Sequence, residues 1–376
     1  MSRRHAVARV DLGAIRSNVA ALAGGTSAEV MAVVKADGYG HGLVPSAQAA
    51  VEGGATWLGT ALLDEALALR AAGLTGPRVL AWLMGPGEAW AEALQADVDV
   101  SVNAEWALAE VVAAARETGV TARVHLKVDT GLSRGGAAVA DWPSLVVAAR
   151  NAEAEGAVHV VGLWSHFAYA DAPGHPTIAR QADVFREAVA HAEGAGIDPE
   201  VRHLANSAAT LTAPDQHFDL VRPGIALYGG VAVADMPNPM QPVVTLQAPV
   251  LQVREVRRDD TVGYGAAEAA RRTSRVAIVG VGYADGYHRR AGSSATRAGA
   301  RAYLRDRFVP LIGRISMDLL ALDVTDVPNV SRGDVVELLG PHILVDEVAG
   351  HAGTIGYEIL TSIGRRYDRA YVRTHG

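Results

Sequence analysis

AVVKADGYGHG, residues 32 to 42, is the stretch that sets the fold. It continues an apolar run from Glu29 that reads as a buried strand. The run delivers one amine, Lys35, and then breaks into Gly38, Gly40 and Gly42. Of 34 basic residues only Lys35 and Lys127 are lysines, and arginine supplies the rest. A guanidinium stays protonated at neutral pH and forms no imine, whereas a desolvated lysine can lose its proton and attack a carbonyl. On this stretch alone, a covalent role for Lys35 competes evenly with a snorkelling or salt-bridged lysine, and the glycines could be a plain turn.

Outward from Lys35 the strand pattern recurs at Trp57–Ala61, Arg78–Met84, Asp97–Asn103, Arg123–Thr130, Val160–Phe167, Val201–Ser207 and Leu220–Tyr228. Alanine-rich helical stretches such as Asp64–Ala72, Ala104–Thr118 and Thr177–Gly194 lie between most of them, and a further helix is expected over 12–23. Eight such strands, counting Glu29–Ala36, predict an α/β fold with a (β/α)8 TIM-type barrel. An open doubly wound sheet is less favoured, because GYGHG at 38–42 lacks the G-x-G-x-x-G spacing. From Val243 onward β-branched runs broken by Gly, Pro and Asp predict a mostly β domain, with one short helix near Tyr357–Ile363. The proline-rich ADMPNPMQP (234–242) reads as the linker, giving domains of 1–240 and 241–376.

A net charge of −7 argues against a nucleic-acid partner. The absence of cysteine excludes disulfides and thiolate metal sites and fits a reducing cytoplasm. No apolar run reaches the ~18 residues of a membrane span, and the first residues do not read as a secretory leader. The expectation is a cytoplasmic protein with no membrane partner. The 13 histidines show no HExxH and no tight cluster with carboxylates, so no metal is assigned.

Active sites of (β/α)8 barrels lie at the C-terminal strand ends. Those ends offer Lys35 and Tyr39, then Lys127, Asp129 and Arg134, then His166, Asn206-Ser207 and Arg222-Pro-Gly224. Ser207 before AATL, and Gly224 before Ile225, are suitable types for a phosphate cradle. Lysine, cradle and arginine on one rim point to pyridoxal phosphate held as a Schiff base. Taken singly, His166 reads as an ordinary core histidine, Tyr264 as a turn aromatic and Met317 as core filler.

AVVKADGYGHG, HLKVDTGLSR (125–134), ANSAA (205–209), VRPGIALYG (221–229), VGYGA (262–266), GYADG (282–286), GRISMD (313–318) and GYE (356–358), in this order, resemble the alanine racemase family. The resemblance implies interconversion of L- and D-alanine by two bases, Lys35 and Tyr264, the latter from the partner subunit of a homodimer with shared sites. Lys35 would carry pyridoxal phosphate, and Arg222 would hydrogen-bond its pyridine nitrogen. Tyr39, Ser207, Gly224, Ile225 and Tyr357 would hold the phosphate, with Asn206 beside them. Arg134 would meet the cofactor phenolate and the substrate carboxylate, while the partner's main-chain N–H at position 317 (Met317) would bind that carboxylate and Tyr283 would border the substrate. His166 would bridge Arg222 and Tyr264. Lys127 would be carbamylated to orient Arg134, against the alternative of a pair with Asp129. D-alanine supply to peptidoglycan is the implied role. The competing classes are a non-enzymatic cofactor carrier, which would lack residues 243–376, a decarboxylase, which would place an acid where Arg222 stands, and a cofactor-free lysine aldolase.

Overall fold

The computed structural model describes residues 6–374; residues 1–5, part of the stretch read for a leader, and 375–376 lie outside it. The first half of the chain forms an eight-stranded parallel sheet. Its strands are β2 (Glu29–Val33), β3 (Trp57–Thr60), β4 (Arg78–Ala81), β5 (Asp99–Val102), β6 (Ala122–Lys127), β7 (Val158–Trp164), β8 (Val201–His203) and β9 (Leu220–Val221). Each of β3 to β8 pairs with its neighbour in sequence, β9 pairs with β2, and a parallel bridge between Asn206 and Arg222 joins β8 to β9. The expected barrel is therefore observed.

Its packing follows from alternation along the strands. On β6, Val124 and Leu126, with Val128 just past its end, are buried in the large cluster shared with the helices. His125 and Lys127 take the opposite face. Met31, Trp57, Leu80, Val161, Val201 and Leu220 form a separate apolar plug. Helix Leu12–Gly24 begins where the Asp11 carboxylate accepts the N–H groups of Gly13 and Ala14 (2.9 and 3.3 Å).

All eight strands exist, but most stop several residues before their expected C-terminal ends. Glu29–Ala36 ends at Val33, Val201–Ser207 at His203, and Leu220–Tyr228 at Val221. Apolar character continues past these points because Val34, Leu204, Ala205 and residues 225–228 stay buried as the chain leaves the sheet to form the mouth of the barrel.

The second half is mostly β, organised on β10 (Val244–Val256). The first strand, β1 (Val7–Asp11), runs antiparallel to β10 and parallel to Asp368–Val372. This corrects the boundary that gave residues 1–240 to the barrel: Ala8 and Val10 are fully buried in the second sheet, which needs that strand to bridge β10 and Asp368–Val372. The short helix occurs at Gly356–Thr361, and a second, Val345–Ala352, was not anticipated. The Arg/Gly/Ser/Ala tract at 289–300 buries Ala291, Ser293 and Ala300.

Candidate active site at the barrel mouth

After β2 the chain turns left-handed. Ala36, Asp37 and Gly38 have φ/ψ near those of a left-handed helix (54/51°, 56/44° and 60/45°), and Tyr39 (φ 51°) and Gly40 (φ 79°) continue the sign. For a residue with a Cβ this costs ~1–2 kcal/mol, so the turn needs outside support. Glu65 supplies part of it, accepting the N–H of Ala36 (2.6 Å) on one oxygen and those of Ala61 and Leu62 (both 3.1 Å) on the other. Asp37 accepts the N–H of Leu43 (2.9 Å). Nothing in the sequence ties Glu65 to Ala36, 29 residues away.

The turn presents Lys35 at the mouth, its Nζ 5.8 Å from the centre of the Trp82 ring. Burial lowers the Lys35 pKa and the charge of Arg134 adds to this, while Glu65 acts in the opposite sense. Lys127 lies with its Nζ 4.2 Å from the centre of the Trp164 ring. Burial, then Arg222 and Arg134, pull its pKa down to about 8. The pairing of Lys127 with Asp129 is not seen: Asp129 Oδ1 accepts the N–H groups of Gly131, Leu132 and Ser133 (2.9, 3.0 and 3.1 Å).

Arg222 is buried and donates through Nη2 to the carbonyls of Ser165 (2.8 Å) and Leu204 (3.2 Å). The same nitrogen lies 3.4 Å from His166 Nδ1. Burial lowers the Arg222 pKa to about 9, which leaves it a cation at neutral pH. Burial and the charges of Arg222, Arg134, Lys127 and Lys35 push His166 well below its ordinary value, so its imidazole is neutral. His166 is thus more than core packing.

Beside these cations lies a polar cradle. Ser207 Oγ accepts the N–H groups of Gly224 (2.7 Å) and Ala226 (3.4 Å), and Asn206 caps the short helix Ser207–Thr212 by accepting the Ala209 N–H (3.1 Å). A Cβ at Gly224 would stand 2.5 Å from the Tyr39 hydroxyl, so only glycine permits that approach. Ile225, buried, follows directly. Tyr39 stacks on Tyr228 (centroids 4.9 Å apart) and meets Tyr357 at 6.1 Å. Burial raises the pKa of Tyr39 and takes Tyr357 to about 12, so both keep their phenolic protons.

Tyr264, Tyr283 and Met317 are elsewhere, together on the β domain. Tyr283 and Ala284 donate their N–H groups to the carbonyls of Ser316 and Met317 (3.1 and 2.9 Å). Gly282 permits this approach, since its Cβ would lie 2.3 Å from the Met317 carbonyl. Tyr264 is 67% exposed, Met317 53% and Tyr283 40%, which overturns the reading of Met317 as core filler.

A barrel with a lysine at the end of its first strand and a β domain is matched as a whole by one family. The family model for the N-terminal domain of alanine racemase covers residues 10–232, and that for its C-terminal domain covers 243–371. The chain belongs to the alanine racemase family. An alanine racemase of Frankia casuarinae is 51% identical over 372 residues, spanning 96% of this chain and 95% of that protein. Among solved structures, alanine racemase from D-cycloserine-producing Streptomyces lavendulae superposes with a TM-score of 0.96 at 45% identity, covering 100% of this chain and 99% of its own. The enzyme from Bartonella henselae, described with covalently bound pyridoxal phosphate, gives 0.88 at 31% identity, covering 98% and 99%. Family membership and the match across both domains remove the carrier, decarboxylase and aldolase readings.

Proposed function

We propose that the protein interconverts L- and D-alanine with pyridoxal phosphate bound to Lys35, and that Lys35 and a partner's tyrosine equivalent to Tyr264 are the two bases. The observation that carries this is the gathering of Lys35, Lys127, Arg134 and Arg222 at one mouth, close enough for their charges to depress the titration of neighbours. Such a cluster fits a cofactor bearing a phosphate and a phenolate. The Ser207–Gly224–Tyr39 cradle suits the phosphate, with Ile225 and Tyr357 beside it, and Arg134 serves the phenolate and the substrate carboxylate.

When bound, the cofactor delocalises the charge left on the substrate's Cα. The chain's residues then control the protons. Lys35, desolvated, holds or releases one on its own face. A tyrosine has a pKa of about 10 and becomes a base only near cations; Arg222, acting through His166, would be the cation that serves the partner's tyrosine. Racemisation needs a second face, and Tyr264 and Met317 are exposed on the β domain, so we place them over the partner's barrel in a head-to-tail homodimer. Exposed Leu62, Leu83 and Tyr169, which follow barrel strands, match the apolar rim such a contact would cover. No helix among the described residues is long and apolar enough to cross a membrane. A cytoplasmic supply of D-alanine for peptidoglycan is the corresponding role. The deciding experiment is a visible spectrum of the purified protein followed by conversion of pure L-alanine to an equal mixture; a colourless protein, or no D-alanine from a coloured one, defeats the proposal.

Arg222, a cation at neutral pH, would be the residue that donates to the pyridine nitrogen, and a donor that keeps its own proton would leave the ring a weak electron sink, which suits quick return of the proton. Arg222→Glu should raise that nitrogen's proton affinity and slow racemisation by ~10²-fold, the loss expected for one preorganised donor. New long-wavelength absorbance should appear during turnover. Unchanged spectra and rate would show that Arg222 is not at the ring.

Lys127, its pKa pulled down to about 8, has a fraction of free amine near neutral pH whose nitrogen can attack the carbon of carbon dioxide and release a proton, leaving a carbamate. A carbamate there would turn a repulsion of Arg134 into an attraction. Carbon-13 NMR with labelled bicarbonate should give a carbamate signal that grows as pH rises through about 8, where the free amine becomes the major form. That signal should vanish in Lys127→Ala, and a signal that survives the substitution would exclude this lysine.

A further inference from the structure

Arg222 is a buried cation whose hydrogen-bond partners include no carboxylate: they are two carbonyls, His166 and His203. A buried charge is costly unless paired. Its Nη1 lies 3.2 Å from His203 Nδ1, and from there a line of contacts runs down the barrel axis. His203 Nε2 is 2.9 Å from His125 Nδ1, and His125 Nε2 is 3.2 Å from Asp99 Oδ2. At the far end Asp99 accepts from Arg123 Nε (2.9 Å) and Arg78 Nη2 (3.1 Å). Glu200 faces both arginines (2.6 Å to Arg78, 3.9 Å to Arg123) and takes His159 at 3.0 Å. Asp99, His125 and His203 are all buried, and none has a part in the chemistry described above.

The direction of this line is fixed by what each atom can do. A guanidinium only donates, so His203 Nδ1 must accept. His203 then carries its proton on Nε2 and donates to His125 Nδ1, and His125 Nε2–H donates to Asp99. Both imidazoles are neutral and in the same tautomer. Burial holds both below their ordinary pKa, with Arg222 adding to the effect at His203. The rings are held by packing as well. His203 lies parallel to Trp164 (5.6 Å, 2°), and His125 meets Trp57 edge-on (5.4 Å, 86°). A Cβ on Gly162 would stand 2.2 Å from His125 Nδ1, so β7 carries a glycine where that ring needs room.

We propose that Asp99, His125 and His203 are positioning residues that fix, through one run of tautomers, the orientation and charge of Arg222 at the cofactor ring. The proposal rests on the reading of Arg222 as the partner of the pyridine nitrogen. Nitrogen-15 NMR of histidine-labelled wild type, or neutron diffraction, should find His125 and His203 neutral with bare Nδ1; an imidazolium, or a proton on Nδ1 of either, overturns it. Asp99→Asn can turn its amide N–H toward His125 Nε2 and reverse the line, leaving a His203 N–H facing Arg222. That variant should show the opposite tautomer at His203, the long-wavelength absorbance of the Arg222 variants, and a kcat lower by ~10–100-fold, the usual scale for a supporting partner, with KM little changed. His203→Gln keeps an acceptor for Arg222 but cuts the line, so adding Asp99→Asn to it should change nothing further. An equal added loss in the double variant, or a fall in activity with wild-type tautomers and spectrum, reduces Asp99 to a structural residue and overturns the proposal. Should Asp99→Asn not fold, the wild-type tautomers still decide. Arg222→Leu separates the two readings: a wild-type spectrum there removes Arg222 from the ring, whereas a changed one with a silent Asp99→Asn removes only the relay.

Discussion

Lys35→Ala is expected to yield a protein without the visible band of lysine-bound cofactor and with racemisation reduced by at least ~10⁴-fold, since one residue supplies both the covalent anchor and a proton-transferring base. The anchor has no ready substitute. Lys127 is the only other lysine in the chain. Its Nζ sits over Trp164, on the strand four removed from β2 in the barrel order. The fold itself should survive, because Lys35 makes no hydrogen bond among those seen and the turn beyond it is held by Glu65 and Asp37. Reduction with borohydride followed by peptide mapping is the check. A labelled peptide containing Lys127 in the variant would show that the cofactor has a second anchor and that the assignment to Lys35 is wrong.

The second large effect is expected at Tyr264. Tyr264→Ala alone should lose ~10²–10⁴-fold of the rate, the worth of one positioned acid–base group. The loss should be unequal: exchange of solvent deuterium into L-alanine should suffer more than exchange into D-alanine, because Lys35 still serves the other face. Equal loss of both exchanges would refute two-base catalysis. Mixing this variant with Lys35→Ala should then restore activity, since in a heterodimer with crossed sites one site keeps both bases and the other has neither. A mixture that stays inactive after mass spectrometry has confirmed subunit exchange would mean that the sites are not shared. Tyr264 and Met317, so exposed in one chain, would then need another explanation.

Most of the barrel is legible in the sequence because each strand carries an apolar face toward the helices, as Val124, Leu126 and Val128 do. The site is legible where its chemistry needs rare residue types: two lysines in an arginine-rich chain, a buried arginine before Pro223, and a glycine against a tyrosine. Contacts between elements are not legible. Glu65 reads as an ordinary acid in the first turn of a helix, and only the folded chain brings it to Ala36. His203, His125 and Asp99 sit on three strands, 78 and 26 residues apart along the line, so no local pattern joins them. The place of β1 in the second sheet is hidden for the same reason: its partners lie more than 230 residues downstream.

The turn after Lys35 has a consequence for chirality. Ala36 sits at φ 54°, ψ 51°, a conformation that crowds the Cβ of an L residue and that the mirror-image amino acid adopts without strain. Its N–H is engaged by Glu65, so the backbone there has no freedom to relax. A semisynthetic protein with D-alanine at position 36 should therefore be more stable than the natural one, by ~1 kcal/mol. The backbone of a D-alanine-forming enzyme would then suit, one residue from its reactive lysine, the product better than the substrate.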